Sequence, residues 1–204
     1  MARNIDIDFG MKSKVFVLLA LLLLNTVAVA QVVLPSDGNV YRLMSVSAGK
    51  VVTNGDVAVH DTYLSVVDVN EASKGQEWTM VSLSSKEPVF ALYNKNYGQA
   101  ADMALNSKVP GKLLQWEATW SDNQKFYVSV VDEAEGVVQL LCNSDRNKAM
   151  QVQDNGSLVM VNGAAGESTY FRLQFVKHEN VNFPVPDHNY IIREKSSGMA
   201  LNTR

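Results

Sequence analysis

Apolar and polar residues alternate over several short stretches of this chain, which is the pattern of β-strands with one buried face. Phe126 and Val128, for example, flank the more polar Tyr127. The same alternation occurs in residues 41–44, 126–130, 138–142 and 171–175. Clusters that favour turns separate these stretches, at residues 53–56, 94–98, 109–111, 143–147 and 154–156. No stretch after residue 30 has the apolar stripe and caps of a helix, so the sequence predicts an all-β fold.

An aromatic residue closes a polar turn and opens a strand at three places along the chain. These residues are Trp78, Phe126 and Phe171, spaced 48 and 45 residues apart. A leucine precedes each of them by 13 or 14 residues, at Leu64, Leu113 and Leu158. Self-similarity at this period indicates repeated structural units, here three units of four short strands. One such unit cannot bury its own apolar face, so we expect three units around a common core, closed into a barrel without exposed edges.

The closing aromatics belong to a short motif. Gln76-Glu77-Trp78 and Gln124-Lys125-Phe126 are Gln-x-aromatic sequences, and Thr169-Tyr170-Phe171 is a third copy in which Thr replaces Gln. At this spacing, the motifs resemble those of the ricin B-type lectin family over residues 38–178. The resemblance implies a β-trefoil with threefold pseudo-symmetry, in which the three aromatics hold the barrel and do not touch ligand.

The second unit matches the sugar-binding pattern of that family best. Asp102 lies 13 residues before Gln115, and Asn123-Gln124 begins eight residues after Gln115. The resemblance implies that Asp102 accepts hydrogen bonds from two sugar hydroxyls, with Gln115 and Asn123 as amide partners. Gln124 is expected to brace the turn from inside. The implied ligand is a galactose- or N-acetylgalactosamine-type glycan. In the alternative interpretation, Asp102 only caps a turn.

The stacking aromatic of the second unit departs from the family pattern. Glu117 occupies the usual position, two residues after the Gln. Trp116 is the candidate replacement, with Trp120 and Tyr97 as alternatives. Trp116 and Trp120 are also compatible with a role as half-buried strand residues.

The first and third units are expected to have lost the site. The first offers Asp56, Asp68 and Gln76, and the third offers Asp154 and Asn155. Apolar residues stand where an amide or aromatic is needed, namely Val66, Val67 and Met160. A carboxylate without such partners has little to hold a sugar with.

The N-terminal residues have the composition of a secretory signal peptide. Lys12 and Lys14 precede an apolar run from residue 15 to 24, and Ala28-Val29-Ala30 is a small-x-small cleavage signature. We therefore expect a start at Met11, cleavage after Ala30, and a secreted, periplasmic or cell-surface protein without stable membrane insertion. The alternative is a membrane anchor, for which the run is short.

The C-terminal residues repeat the beginning of the first unit. Tyr190 precedes Gly198 by eight residues, as Tyr41 precedes Gly49. We therefore expect a short segment at residues 31–37, a linker at residues 179–189, and the start of a further repeat or domain at residues 190–204. The chain would then be part of a longer multidomain protein. The alternative is a C-terminal strand that packs on the first domain.

Composition and charge exclude several function classes. The net charge of −3 argues against binding to nucleic acid or anionic membranes. Cys142 is the only cysteine, so an internal disulfide is impossible, and its place in an apolar row predicts burial. The histidines show no metal-ligand spacing and no catalytic motif is present, so we expect no cofactor, metal or catalytic residue in this chain. An enzyme domain beyond Arg204 remains open.

Taken with the resemblance, these observations favour a secreted, non-catalytic carbohydrate-binding module. The alternative is a degenerate trefoil that has lost sugar binding and acts as a structural spacer or protein-interaction domain.

Overall fold

Twelve β-strands make up most of the part of the chain that the computed structural model describes, which is residues 35–105, 110–163 and 166–180. The strands are β1 (Asn39–Ser45), β2 (Val51–Thr53), β3 (Ser65–Val67), β4 (Trp78–Ser82), β5 (Val89–Asn94), β6 (Gln99–Met103), β7 (Leu113–Glu117), β8 (Phe126–Asp132), β9 (Val137–Cys142), β10 (Asp145–Val152), β11 (Leu158–Asn162) and β12 (Phe171–His178). The described ranges contain no α-helix, and therefore none that is long and apolar enough to cross a lipid bilayer. The prediction of an all-β fold is confirmed. The predicted signal peptide (1–30) and further repeat (190–204) lie outside the described residues, as do residues 31–34 and 181–189.

Six strands close into a barrel. The ring runs β1–β4–β5–β8–β9–β12 and returns to β1, with every pair antiparallel. The remaining strands form three hairpins, β2–β3, β6–β7 and β10–β11, one in each predicted unit. Single bridges join neighbouring hairpins, at Tyr63–Leu114, Ser65–Ser157 and Lys112–Val159. This is the predicted β-trefoil with three related units.

The core lies on the axis that the three units share. Trp78, Phe126 and Phe171 are fully buried in a single apolar cluster, as predicted. The leucines of the repeat belong to the same cluster: Leu64, Leu113 and Leu158. A short 3₁₀ turn ends two residues before each aromatic, at Lys74–Gln76, Asp122–Gln124 and Glu167–Thr169. Each turn therefore delivers its aromatic into the core at the start of β4, β8 or β12. Cys142 is buried too, as predicted.

The alternation ends early in two strands. It would place Val130 and Phe175 on the buried face, but both are about half exposed. Each lies beside a β-bulge, one between Val130 and Asp132 and the other opposite Val40 and Tyr41. A bulge bends a strand and interrupts its pairing, so the inward face is lost at these positions. The ring of Phe175 instead packs edge-on against Tyr41, with centroids 5.9 Å apart.

Candidate functional site

A shallow cleft of about 200 Å³ lies between the first and second units. We call it the Asp102 cleft. Its polar and aromatic lining consists of Asp61, Asp102, Trp116, Thr119, Ser121 and Asn123. Asp61 comes from the loop between β2 and β3, whereas the other five come from β6, β7 and the turn before β8. The cleft therefore depends on both units being packed together.

Asp102 is fixed by two amide groups. Asn123 Nδ2 donates to Asp102 Oδ1 at 2.6 Å, and Gln124 Nε2 donates to Oδ2 at 2.8 Å. Only 6% of the residue is exposed, so the carboxylate cannot turn away. Each carboxylate oxygen has two lone pairs, and each therefore retains capacity to accept a further hydrogen bond. The fold thus brings Asp102, Asn123 and Gln124 together across 22 residues of sequence.

Gln124 holds the turn that carries Asn123. Its Nε2 also donates to the Glu117 carbonyl at 2.8 Å, and its Oε1 accepts from the amides of Thr119 and Trp120 at 2.9 and 3.0 Å. Gln124 is fully buried, so it supports the site from behind. Gln76 makes equivalent bonds in the first unit, to the Asp68 carbonyl and from the Asn70 amide. The Gln of the motif is therefore a repeated brace of the 3₁₀ turn.

Gln115 does not belong to the cleft surface. Its side chain is fully buried, with Nε2 donating to the carbonyls of Val57 and Val59 at 2.9 and 2.7 Å. Its Oε1 accepts from Asn54 Nδ2 at 2.7 Å. Both Nε2 hydrogens are therefore taken, and the fully buried side chain has no donor left for a sugar hydroxyl. The expected role of Gln115 as a ligand partner is therefore corrected: it ties the 54–59 loop of the first unit to β7.

Trp116 faces outward because it follows Gln115 on a strand, where successive side chains point to opposite faces. It is 38% exposed. The ring of His60 packs against it edge-on, with centroids 5.0 Å apart and planes at 66°. The two alternatives for a stacking face have other roles. Trp120 packs edge-on against Tyr93, and the Tyr97 hydroxyl donates to Asp56 Oδ1 at 3.1 Å.

The electrostatics of the cleft are set by two carboxylates. Burial raises the pKa of Asp102, and the nearby charge of Asp61 raises it further. The hydrogen bonds from Gln124 and Asn123 oppose this shift but do not cancel it. Asp61 has a left-handed backbone (φ 62°), which Asp adopts more readily than most residues. Sequence reasoning missed Asp61 because no motif marks it and it belongs to a different unit from Asp102.

The sequence of residues 74–167 matches the family described as ricin-type beta-trefoil lectin domain-like. Over these residues the chain is similar to the ricin B-type lectin family. No curated protein matches the sequence.

Solved structures share the fold of this chain at low identity. The designed threefold-symmetric protein ThreeFoil is 19% identical, with a TM-score of 0.58 over 68% of this chain and 99% of that chain. An exo-β-1,3-galactanase from Clostridium thermocellum is 20% identical, with a TM-score of 0.59 over 71% of this chain and 31% of that chain. The Macrolepiota procera ricin B-like lectin, solved with lactose, is 17% identical, with a TM-score of 0.54 over 70% and 99%. At these identities the similarity establishes the fold alone.

The trefoil has no second copy of the Asp102 arrangement within the described residues. Asp102 pairs across its hairpin with the residue that follows the repeated leucine of its unit. The residues that pair with the same position in the first and third units are Thr53 and Gln151. In the first unit, Asp56 instead accepts hydrogen bonds from the Ser73 hydroxyl, the Gly75 amide and Tyr97, which fixes a turn. In the third unit, Asp154 lines a separate cleft of about 260 Å³.

The described residues do not form a metal-binding cluster. They contain no group of three or more His, Cys, Asp or Glu residues that could hold a metal ion.

Proposed function

We propose that this domain is a non-catalytic carbohydrate-binding module that holds a galactose- or N-acetylgalactosamine-type glycan in the Asp102 cleft. The observation that carries the proposal is a carboxylate fixed by two amides beside an exposed tryptophan. Asp102 accepts hydrogen bonds from vicinal hydroxyls, Asn123 contributes a neighbouring amide, and Trp116 packs on the apolar face of the ring. Gln124 acts through Asp102 and Asn123 as a positioning residue.

The comparisons support this choice of ligand. The Macrolepiota procera lectin was solved with lactose, a disaccharide that contains galactose. The Clostridium thermocellum enzyme is a galactanase. The family is described as lectin domain-like, which supports binding as the role of the domain.

The biological setting is a second part of the proposal. Residues 1–30 act as a signal peptide, and the protein is secreted or displayed on the cell surface as part of a longer chain. A trefoil occupying 31% of the galactanase is consistent with such a module in a larger protein. One shallow site binds a sugar weakly. Attachment of the protein to a glycan-bearing surface therefore becomes stronger when several such sites act together.

Binding of galactose-type glycans is expected to depend on Asp102. A hydrogen bond to a charged group contributes about 1.5–3 kcal/mol, so Asp102→Ala should weaken lactose binding by at least about tenfold. Isothermal titration calorimetry with lactose, after a glycan array, measures the loss. Asp154→Ala removes an exposed carboxylate from a different cleft and serves as the matched control, with affinity unchanged. A broad array without any signal, or equal affinity in the Asp102 variant, contradicts the proposal.

Lactose binding is also expected to fall on acidification. Hydroxyls of the sugar donate to ionised Asp102, so affinity is full above the pKa of Asp102 in the free protein and declines as pH falls through it. Because that pKa is raised, the decline begins at a higher pH than for an ordinary Asp with a pKa of 3.8. Titrations from neutral to acidic pH, with circular dichroism to verify folding, measure the profile. Affinity that stays constant until the protein unfolds contradicts this role for Asp102.

A protein-interaction or spacer role is the second candidate. It is favoured by Glu117 at the usual aromatic position and by the commitment of Gln115 to the core. A pull-down that recovers a protein partner and is insensitive to free galactose would distinguish this role from sugar binding.

A further inference from the structure

The Asp102 cleft carries more negative charge than a neutral sugar needs. Asp61 and Asp102 both line it, and its described lining includes no Lys or Arg. Asp102 alone can accept two sugar hydroxyls. A neutral ring therefore does not require the carboxylate of Asp61 as a further acceptor.

The position of Asp61 is built into the fold. Its backbone amide donates to the Gln115 carbonyl at 3.2 Å. The side chain of Gln115 holds the same loop through the carbonyls of Val57 and Val59. Asp61 is thus anchored to β7, the strand that also carries Trp116.

Two like charges in one cleft repel each other, and a positive ligand relieves that repulsion. The indole face of Trp116 is attractive to cations as well. A divalent metal fits poorly, because Ca²⁺ takes six to eight oxygen ligands and the described residues offer no cluster of three metal-binding side chains. An ammonium group needs only three acceptors. Two carboxylates and the Ser121 hydroxyl, all in the lining of the cleft, can supply them.

We propose that the preferred ligand of this cleft is a galactose-type amino sugar with a free amine, whose ammonium group lies between Asp61 and Asp102. This inference rests on the proposed function and names the ligand class of the same site. Acetylation removes the charge of the amine, so the free amino sugar and its N-acetyl form are expected to differ in affinity.

The test compares D-galactosamine, D-galactose and N-acetyl-D-galactosamine by calorimetry at neutral pH and low salt. Galactosamine is expected to bind about tenfold more tightly than the two neutral sugars, a difference of about 1.4 kcal/mol. The preference should shrink when salt is added, because exposed charges are screened. Asp61→Asn is expected to abolish the preference, and Asp154→Asn, which removes one charge from a different cleft, to preserve it. Thermal unfolding of each variant verifies that it is folded.

The outcomes separate this inference from the proposed function. If galactose binds and galactosamine is no tighter, or if Asp61→Asn keeps the preference, the amino-sugar inference is wrong and the lectin role stands. If any of the sugars binds only with added Ca²⁺ and is released by a chelator, the ammonium assignment is also wrong. If none of the three sugars binds, both proposals fail together.

Discussion

Replacing Trp78 with alanine is expected to lower the free energy of unfolding by about 3–5 kcal/mol, the usual cost of emptying a large aromatic site in a core. Trp78 is fully buried in the cluster that joins the three units, and its indole N–H donates to the Val52 carbonyl at 3.1 Å. The substitution leaves a cavity on the shared axis and an unpaired carbonyl. Because a domain of this size is stable by only about 5–15 kcal/mol, this single change removes a large part of the total. Urea denaturation followed by circular dichroism measures the effect.

Trp116→Ala is the matched control for Trp78→Ala. Trp116 is 38% exposed and packs against His60, so its removal should cost less than that of Trp78, about 1–2 kcal/mol. If Trp78→Ala does not fold, Trp78→Phe provides a milder change, since Phe126 and Phe171 occupy the matching positions. We expect it to cost about 1–2 kcal/mol, from lost volume and a lost hydrogen bond. Equal costs for Trp78→Ala and Trp116→Ala would contradict the expected central role of Trp78 in the stability of the core.

Replacing Gln115 with methionine is expected to cost about 1–3 kcal/mol, because buried polar groups lose their partners while the side-chain volume is nearly kept. The Val59 carbonyl loses the amide that bonds to it, the Val57 carbonyl keeps only the bond from Asn54, and Asn54 loses one of its two acceptors. The loop that carries Asp61 should loosen as a result. Urea denaturation measures the stability, and hydrogen exchange at the Asp61 amide measures the loosening.

Gln151→Met is the control for that substitution. Gln151 is half-buried and donates to the Ser168 hydroxyl at 3.0 Å, so its replacement should cost less than about 1 kcal/mol. It should also leave exchange at Asp61 unchanged. Equal effects of the two substitutions would mean that Gln115 does not hold the first-unit loop.

The fold was predictable because its determinants recur. The aromatics and leucines appear three times at a near-constant period, and each repeat places the same type of residue on the shared axis. A single deviation does not hide such a signal: Thr169 replaces Gln, yet Phe171 is still buried. The exposure of Val130 and Phe175 was not predictable, because bulges depend on pairing with a partner strand that the local sequence does not specify.

The site was predictable only where its residues follow one repeat. Asp102, Asn123 and Gln124 meet because the geometry of a unit brings β6 next to the turn before β8. Gln115 has the residue type and spacing of a ligand partner, but its strand points it inward. Its repeat equivalents, Val66 and Met160, are buried core residues. That equivalence was visible in the sequence and could have indicated burial. The place of Asp61 in the cleft could not be predicted from the sequence, because it depends on how the first unit packs against the second.

The pairing of β1 with β12 brings the chain's entry into the domain next to its exit. The amide of Glu179 donates to the carbonyl of Gly38 at 2.7 Å, so these two residues are direct neighbours. A domain whose ends adjoin can be inserted into a loop of a host protein without separating the flanking strands of the host. It is also suited to circular permutation, with residues 38 and 179 joined by a short peptide and new termini opened in an exposed hairpin turn.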